Sequence, residues 1–128
     1  MTGRMIDFPG RVFQVWGYTA GMGRLLLRST KSETFPTRVD VLFQNVKAMS
    51  LPTMLEGLVV AAAGEAAAAR FTRETGLLVD ENATLFELAT ARGIGYVVAG
   101  VVVAEEDHGE YFEPSKYWPG PQAETGNP

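Results

Sequence analysis

The chain has 128 residues, a net charge of −4 and 46% hydrophobic residues, the size and balance of one globular domain. It holds no cysteine and one histidine, which excludes a disulfide scaffold, a cysteine nucleophile, a thiolate metal site and a multi-histidine zinc site within one chain. The charge is lopsided: residues 1–64 carry seven Lys/Arg and four Asp/Glu, residues 65–128 four and eleven, and so acidic a chain is not expected to bind nucleic acid.

Met1 to Gly10 contains Arg4, Asp7 and Pro9 and lacks the apolar stretch of a signal peptide. The first predicted strand is Arg11 to Thr19, rich in Val, Phe, Trp and Tyr. Ala20-Gly21-Met22-Gly23 supplies a turn and Arg24 to Ser29 returns as a second strand, giving a β-hairpin. Gly21-Met22-Gly23 has the look of a phosphate loop, but a dinucleotide fingerprint needs a third glycine and a helix after it. Arg24, Leu26 and Arg28 share one face of the second strand, with Leu25 and Leu27 on the other. Ser29 to Pro36 reads as a polar loop.

Thr37 to Val46 reads as a third strand, in which Val39, Val41 and Phe43 alternate with Arg38, Asp40 and Leu42. A bend is expected at Asn45, then a short strand within Val46 to Leu51 that Pro52 stops. Glu56 to Ala62 is a further strand. Glu65 to Thr75 is predicted as the one helix: four alanines favour it, Glu65 stands at its start, Arg70 and Arg73 near its end, and Gly76 just beyond; the competing reading is a small-residue strand, because Ala61 to Ala69 has no clear period. Asp80-Glu81-Asn82 is a turn. Thr84 to Thr90 and Gly95 to Ala104 follow as strands, the second apolar on both faces and so expected to be buried on both, with Gly100 marking a bulge or a close approach. This longest apolar run is far short of the ~20 residues of a membrane helix, so no membrane partner is expected and the cytoplasm is the expected compartment.

The fold expected from this order is mainly β: an antiparallel sheet of 6–8 strands forming a small barrel, roll or sandwich, with one short helix near residues 65–75. Residues 1–118 are expected to form a single globular domain, and 119–128, rich in Pro and Gly, a disordered tail.

Candidate site residues are few. Glu105-Glu106-Asp107-His108-Gly109-Glu110 gathers carboxylates and the imidazole, and Asp107 and His108 are its ligand candidates. The order does not fit an EF-hand, and a solvated acidic loop is the plainer reading. Arg24, Arg28 and Arg38 with Asp40 could line an anion site on one sheet face. Two arginines four residues apart on a strand stand about 13 Å apart, so cross-strand surface pairing with Asp40 is the plainer reading. Trp16 and Tyr18 are expected to share a face. Tyr117 and Trp118 either dock back on the sheet or anchor an interface. None of the serines lies in a GxSxG elbow.

No cofactor, metal or catalytic motif is present in this reading. The function expected is a non-enzymatic binding or protein-interaction module, self-associating through its oppositely charged halves or engaging another protein. The alternative is a small barrel that takes an apolar or anionic small molecule inside, with or without catalysis.

Overall fold

The computed structural model describes residues 4–118. In chain order the elements are β1 Arg4–Thr19, β2 Arg24–Ser29, β3 Arg38–Gln44, β4 Ala48–Ser50, β5 Met54–Ala62, α1 Glu65–Thr75, β6 Thr84–Thr90, β7 Gly93–Ala99 and β8 Val101–Asp107. The strands form one antiparallel sheet in the order β4-β7-β6-β5-β1-β2-β3-β8. The protein is thus mainly β with one short helix, as the alternation and turn signals imply. The expected tail, 119–128, lies outside the described residues.

Two bends draw the sheet round. β3 runs into β4 through Asn45, whose φ of 59° turns the chain, and β7 runs into β8 through Gly100. The bends lie side by side: the Gly100 N–H donates to the Gln44 carbonyl at 2.9 Å, and the Lys47 N–H to the Val98 carbonyl at 2.7 Å. One face of the sheet is turned inward as a result. Phe13, Leu25, Leu27, Val39, Val41, Phe43, Leu55 and Leu88 fill that inside with no exposed surface. Burying each such side chain contributes about 1.5–3 kcal/mol.

β1 is long because it serves two neighbours, β5 from Arg4 to Gln14 and β2 from Gln14 to Thr19. Its register slips three times, first between Arg4 and Ile6. Between Phe8 and Val12 the chain swells opposite Gly57, whose φ of 78° and approach to Pro9 admit no side chain: a Cβ there would stand 2.5 Å from the Pro9 carbonyl oxygen. The last slip makes Trp16 an extra residue, because Val15 pairs with Leu27 and Gly17 with Leu26. A bulge re-aims its side chain. Trp16 and Tyr18 therefore do not share a face. Tyr18 pairs with the inward Leu25, while Trp16 lies on the outer face over Arg28.

Three other expectations are corrected. The first strand begins at Arg4, seven residues before Arg11. Glu105, Glu106 and Asp107 are not in a loop but in β8, where pairing with β3 sets Glu105 opposite Asp40 and Asp107 opposite Arg38. Val97, Val98 and Ala99 are buried as a two-sided strand should be, but Val101 is 42% exposed because the Gly100 bend carries β8 away from that layer. The helix keeps its expected bounds, and Gly76, with φ 79°, donates its N–H to the Thr72 carbonyl as a left-handed stop. Among the described residues, no helix is long and apolar enough to cross a membrane.

Candidate functional site

The outer faces of β2 and β3 carry Leu26, Arg28, Arg38, Asp40 and Leu42, and every one of them is at most 2% exposed. What covers them is the segment 108–118, which has neither helix nor strand. It acts as a strap, and arginines hold it down.

Arg28 lies opposite Asp40 on the neighbouring strand and grips both its oxygens, Nε to Oδ1 at 2.7 Å and Nη2 to Oδ2 at 3.0 Å. Its remaining N–H groups donate to the carbonyls of Tyr111 and Glu113, at 3.2 and 3.3 Å, and to Ser115 Oγ at 3.4 Å. Ser115 in turn donates to Asp40, and the Trp16 ring covers the Arg28 guanidinium at 5.0 Å. Arg38 does the same one position along. It forks onto Asp107 at 2.9 and 3.0 Å and donates to the carbonyls of Glu110, Glu113 and Pro114 at 2.8, 2.6 and 3.2 Å. A guanidinium has five N–H donors, and both arginines use all of them within the chain.

The electrostatics follow from these contacts. Burial opposes the charge on Arg38, but its hydrogen bond to Asp107 and the charges of Asp107, Asp40 and Glu113 outweigh that and hold the guanidinium above its usual pKa. The same hydrogen bond holds the Asp107 carboxyl below its usual range, against the effect of burial. The expected surface pairing of Arg28 and Asp40 is therefore a buried one, with each side chain 1% exposed.

Arg24 completes the strap by donating to the Tyr117 carbonyl, with its guanidinium 5.7 Å from the Trp118 ring. Trp118 lies on Gly17, where a Cβ would stand 2.6 Å from the indole. Tyr117 reaches the Ala104 carbonyl with its hydroxyl at 3.4 Å. Seven of the eight sequence candidates, Arg24, Arg28, Arg38, Asp40, Asp107, Tyr117 and Trp118, thus meet under or in the strap. His108 is exposed at its start. Among the described residues, no three His, Asp or Glu side chains are placed to share a metal ion.

A separate cluster involves Arg11, which is 3% exposed. It donates to Ser29 Oγ and to Thr37 Oγ1, each at 3.0 Å, and to the Thr37 carbonyl at 2.6 Å, with the Phe35 ring 4.4 Å away. Burial pulls its guanidinium below the usual pKa, and Glu106 opposes that pull.

The open surface lies beside these clusters, along the outer face of β1. One groove of about 410 Å³ runs over Val12, Gln14, Ser29, Thr30, Phe35, Met54 and Tyr111. A second of about 500 Å³ continues it over Gln14, Trp16, Thr53, Met54, Tyr111 and Phe112. The two share Gln14, Met54 and Tyr111. Trp16 packs edge-on to Tyr111 at 5.0 Å and 5.7 Å from Phe112, yet Phe112 stays 79% exposed and Met54 48%. Sequence reasoning missed Tyr111, Phe112 and Met54. A polar turn gives no local sign that its aromatics will meet a strand almost a hundred residues earlier. The mixed face of Arg28, Arg38 and Asp40 with Leu26 and Leu42 did hold one signal, since such leucines call for a cover. No family model, no curated protein and no solved structure matches this chain.

Proposed function

We propose that the protein is a non-enzymatic interaction module that seats an apolar segment of another protein in the groove along β1. The observation that carries this reading is the exposed set of Met54, Tyr111 and Phe112 around the half-buried Trp16. Aromatic and thioether side chains dominate the centres of protein interfaces, and an exposed apolar patch of this kind marks a contact surface. Two features make the patch firm. Trp16 is aimed by a bulge, and the strap that presents Tyr111 and Phe112 is fixed by two buried arginines. A pre-organised surface loses less entropy on binding.

The test is capture from the native host with the unaltered protein and with Met54→Ser/Phe112→Ser. The double variant should keep its melting temperature and lose the partner. A partner retained by the double variant overturns this reading.

One observation favours a second reading, a small neutral ligand. Ser29, Thr30, Ser32 and Thr34 line, with Phe35 and Tyr111, a groove of about 410 Å³, within the size range of ligand sites. The site is outside the sheet, because the inside is filled with side chains. An anion is disfavoured there, since Arg28 has no donor left to offer. A thermal-shift screen of neutral polar aromatics tests it, and a hit should be lost in Phe35→Ala.

A further inference from the structure

α1 is the least anchored element of the protein. Ala67, Ala68, Phe71 and Thr72 are half-buried, Phe71 lies 5.9 Å from Tyr96, and no residue of the helix is fully buried. At 11 residues it is also shorter than the ~12–15 at which an isolated helix becomes even marginally stable in water. The other face carries Glu65, Ala66, Ala69, Arg70 and Arg73, all exposed and spaced to form one stripe. Neither Glu65 nor Arg73 has an ion-pair partner among the described residues.

That stripe is complementary to itself. Placed antiparallel about a two-fold axis at Ala69, two copies set Glu65 of each helix against Arg73 of the other. A two-fold contact needs only such self-complementarity. The methyl groups of Ala66 and Ala69 at the crossing let the helix axes approach to the near end of the usual ~8–10 Å. A parallel arrangement would set like charges together. Leu77 and Leu78, 46% and 80% exposed just beyond the helix, add apolar surface at both ends of the contact.

We propose that the chain forms a two-fold dimer through antiparallel α1–α1 packing, with Glu65–Arg73 pairs on either side of an alanine crossing. The contact uses no residue of the β1 groove. A contact along one face of an 11-residue helix is short, so the dimer is weak and concentration-dependent.

Sedimentation velocity across the micromolar range reads this directly, with the mass rising from 13.9 kDa towards twice that value. Glu65→Lys and Arg73→Glu should each weaken association about tenfold or more, because each sets like charges face to face. An equimolar mixture of the two variants should associate again, since each then supplies the charge the other lacks. A second variant, Ala69→Cys, keeps the helix and is the only thiol in the chain. A short bismaleimide should join two copies of it, while Glu74→Cys on the flank should stay single. A mass that stays monomeric throughout, a dimer indifferent to both charge reversals, or a mixture that stays monomeric overturns the proposal. If a charge variant loses helical circular dichroism, the Ala69→Cys reaction decides, and no cross-link overturns it.

Discussion

The strap and the helix α1 are opposites. The strap has no regular structure, yet seven arginine N–H groups, three each from Arg28 and Arg38 and one from Arg24, and a tryptophan hold it on the sheet. The helix has good local signals in its alanines, its terminal charges and its glycine stop, yet none of its residues is fully buried. Hydrogen bonding within the backbone and attachment to the fold are thus independent properties of a segment. The strap's order comes from residues some seventy to ninety positions away, while the helix is specified by residues a few positions apart and held by one half-buried face.

That contrast can be broken most forcefully at Arg28. Arg28→Met leaves Asp40 charged and unpaired where it is 1% exposed, and should cost about 3–5 kcal/mol. By the usual scaling, the melting temperature should fall by more than about 10 °C, measured by calorimetry. Arg28→Met/Asp40→Leu should recover part of the loss, because no buried charge remains. Equal stability of the single and double variants would mean that the pair is hydrated and the strap loosely laid.

Arg38→Met should cost less, about 2–3 kcal/mol, because Asp107 is 29% exposed and can regain water. Its sharper effect is on the strap. Trypsin should cut after Lys116 in the variant under conditions that leave the unaltered protein whole. Smaller still is Gly17→Ala. The new methyl group has to displace Trp118, at about 1 kcal/mol, with a red shift in tryptophan emission.

Acid should act on the strap before the sheet. The hydrogen bond from Arg38 lowers the Asp107 pKa in the folded protein relative to the unfolded chain. Such a group contributes stability above its unfolded value and loses that contribution as pH falls through its lowered folded one. Tryptophan emission should therefore shift below about pH 4 while the far-ultraviolet circular dichroism of the sheet holds. The smallest expected effect is at the helix. Ala68→Gly costs about 1 kcal/mol of local helix stability and should dim the helical signal without moving the global unfolding midpoint. A matching fall in global stability would show that α1 is coupled to the sheet after all.

Legibility in the sequence follows the same line. The bounds of α1 could be read because Glu65, the alanines, Arg73 and Gly76 act within a few residues of one another. β2 and β6 could be read because period-2 alternation and flanking turns are equally local. The Trp16 bulge could not, since it exists only as a mismatch between two strands. Nor could the place of Glu105 to Asp107, whose charge argues for a loop until Arg38 is set opposite. Seven of the eight candidate residues did converge, because charged residues alternating with leucine on a strand need partners. What they form together depends on long-range pairing that spacing does not record.

The acidic run of β8 has a further consequence. β8 ends the hydrogen-bonded order, and β4 ends it on the other side. A strand in such a position offers unpaired backbone groups to any passing chain, the first step towards aggregation. β4 is three residues long, with Pro52 close behind it, and offers little. β8 is longer, but it carries Glu105, Glu106 and Asp107 in succession, and the Tyr117 hydroxyl occupies the Ala104 carbonyl. A second chain trying to add there would have to bring its own backbone against three carboxylates. The residues that look most like a ligand site in the sequence therefore guard the sheet against growing.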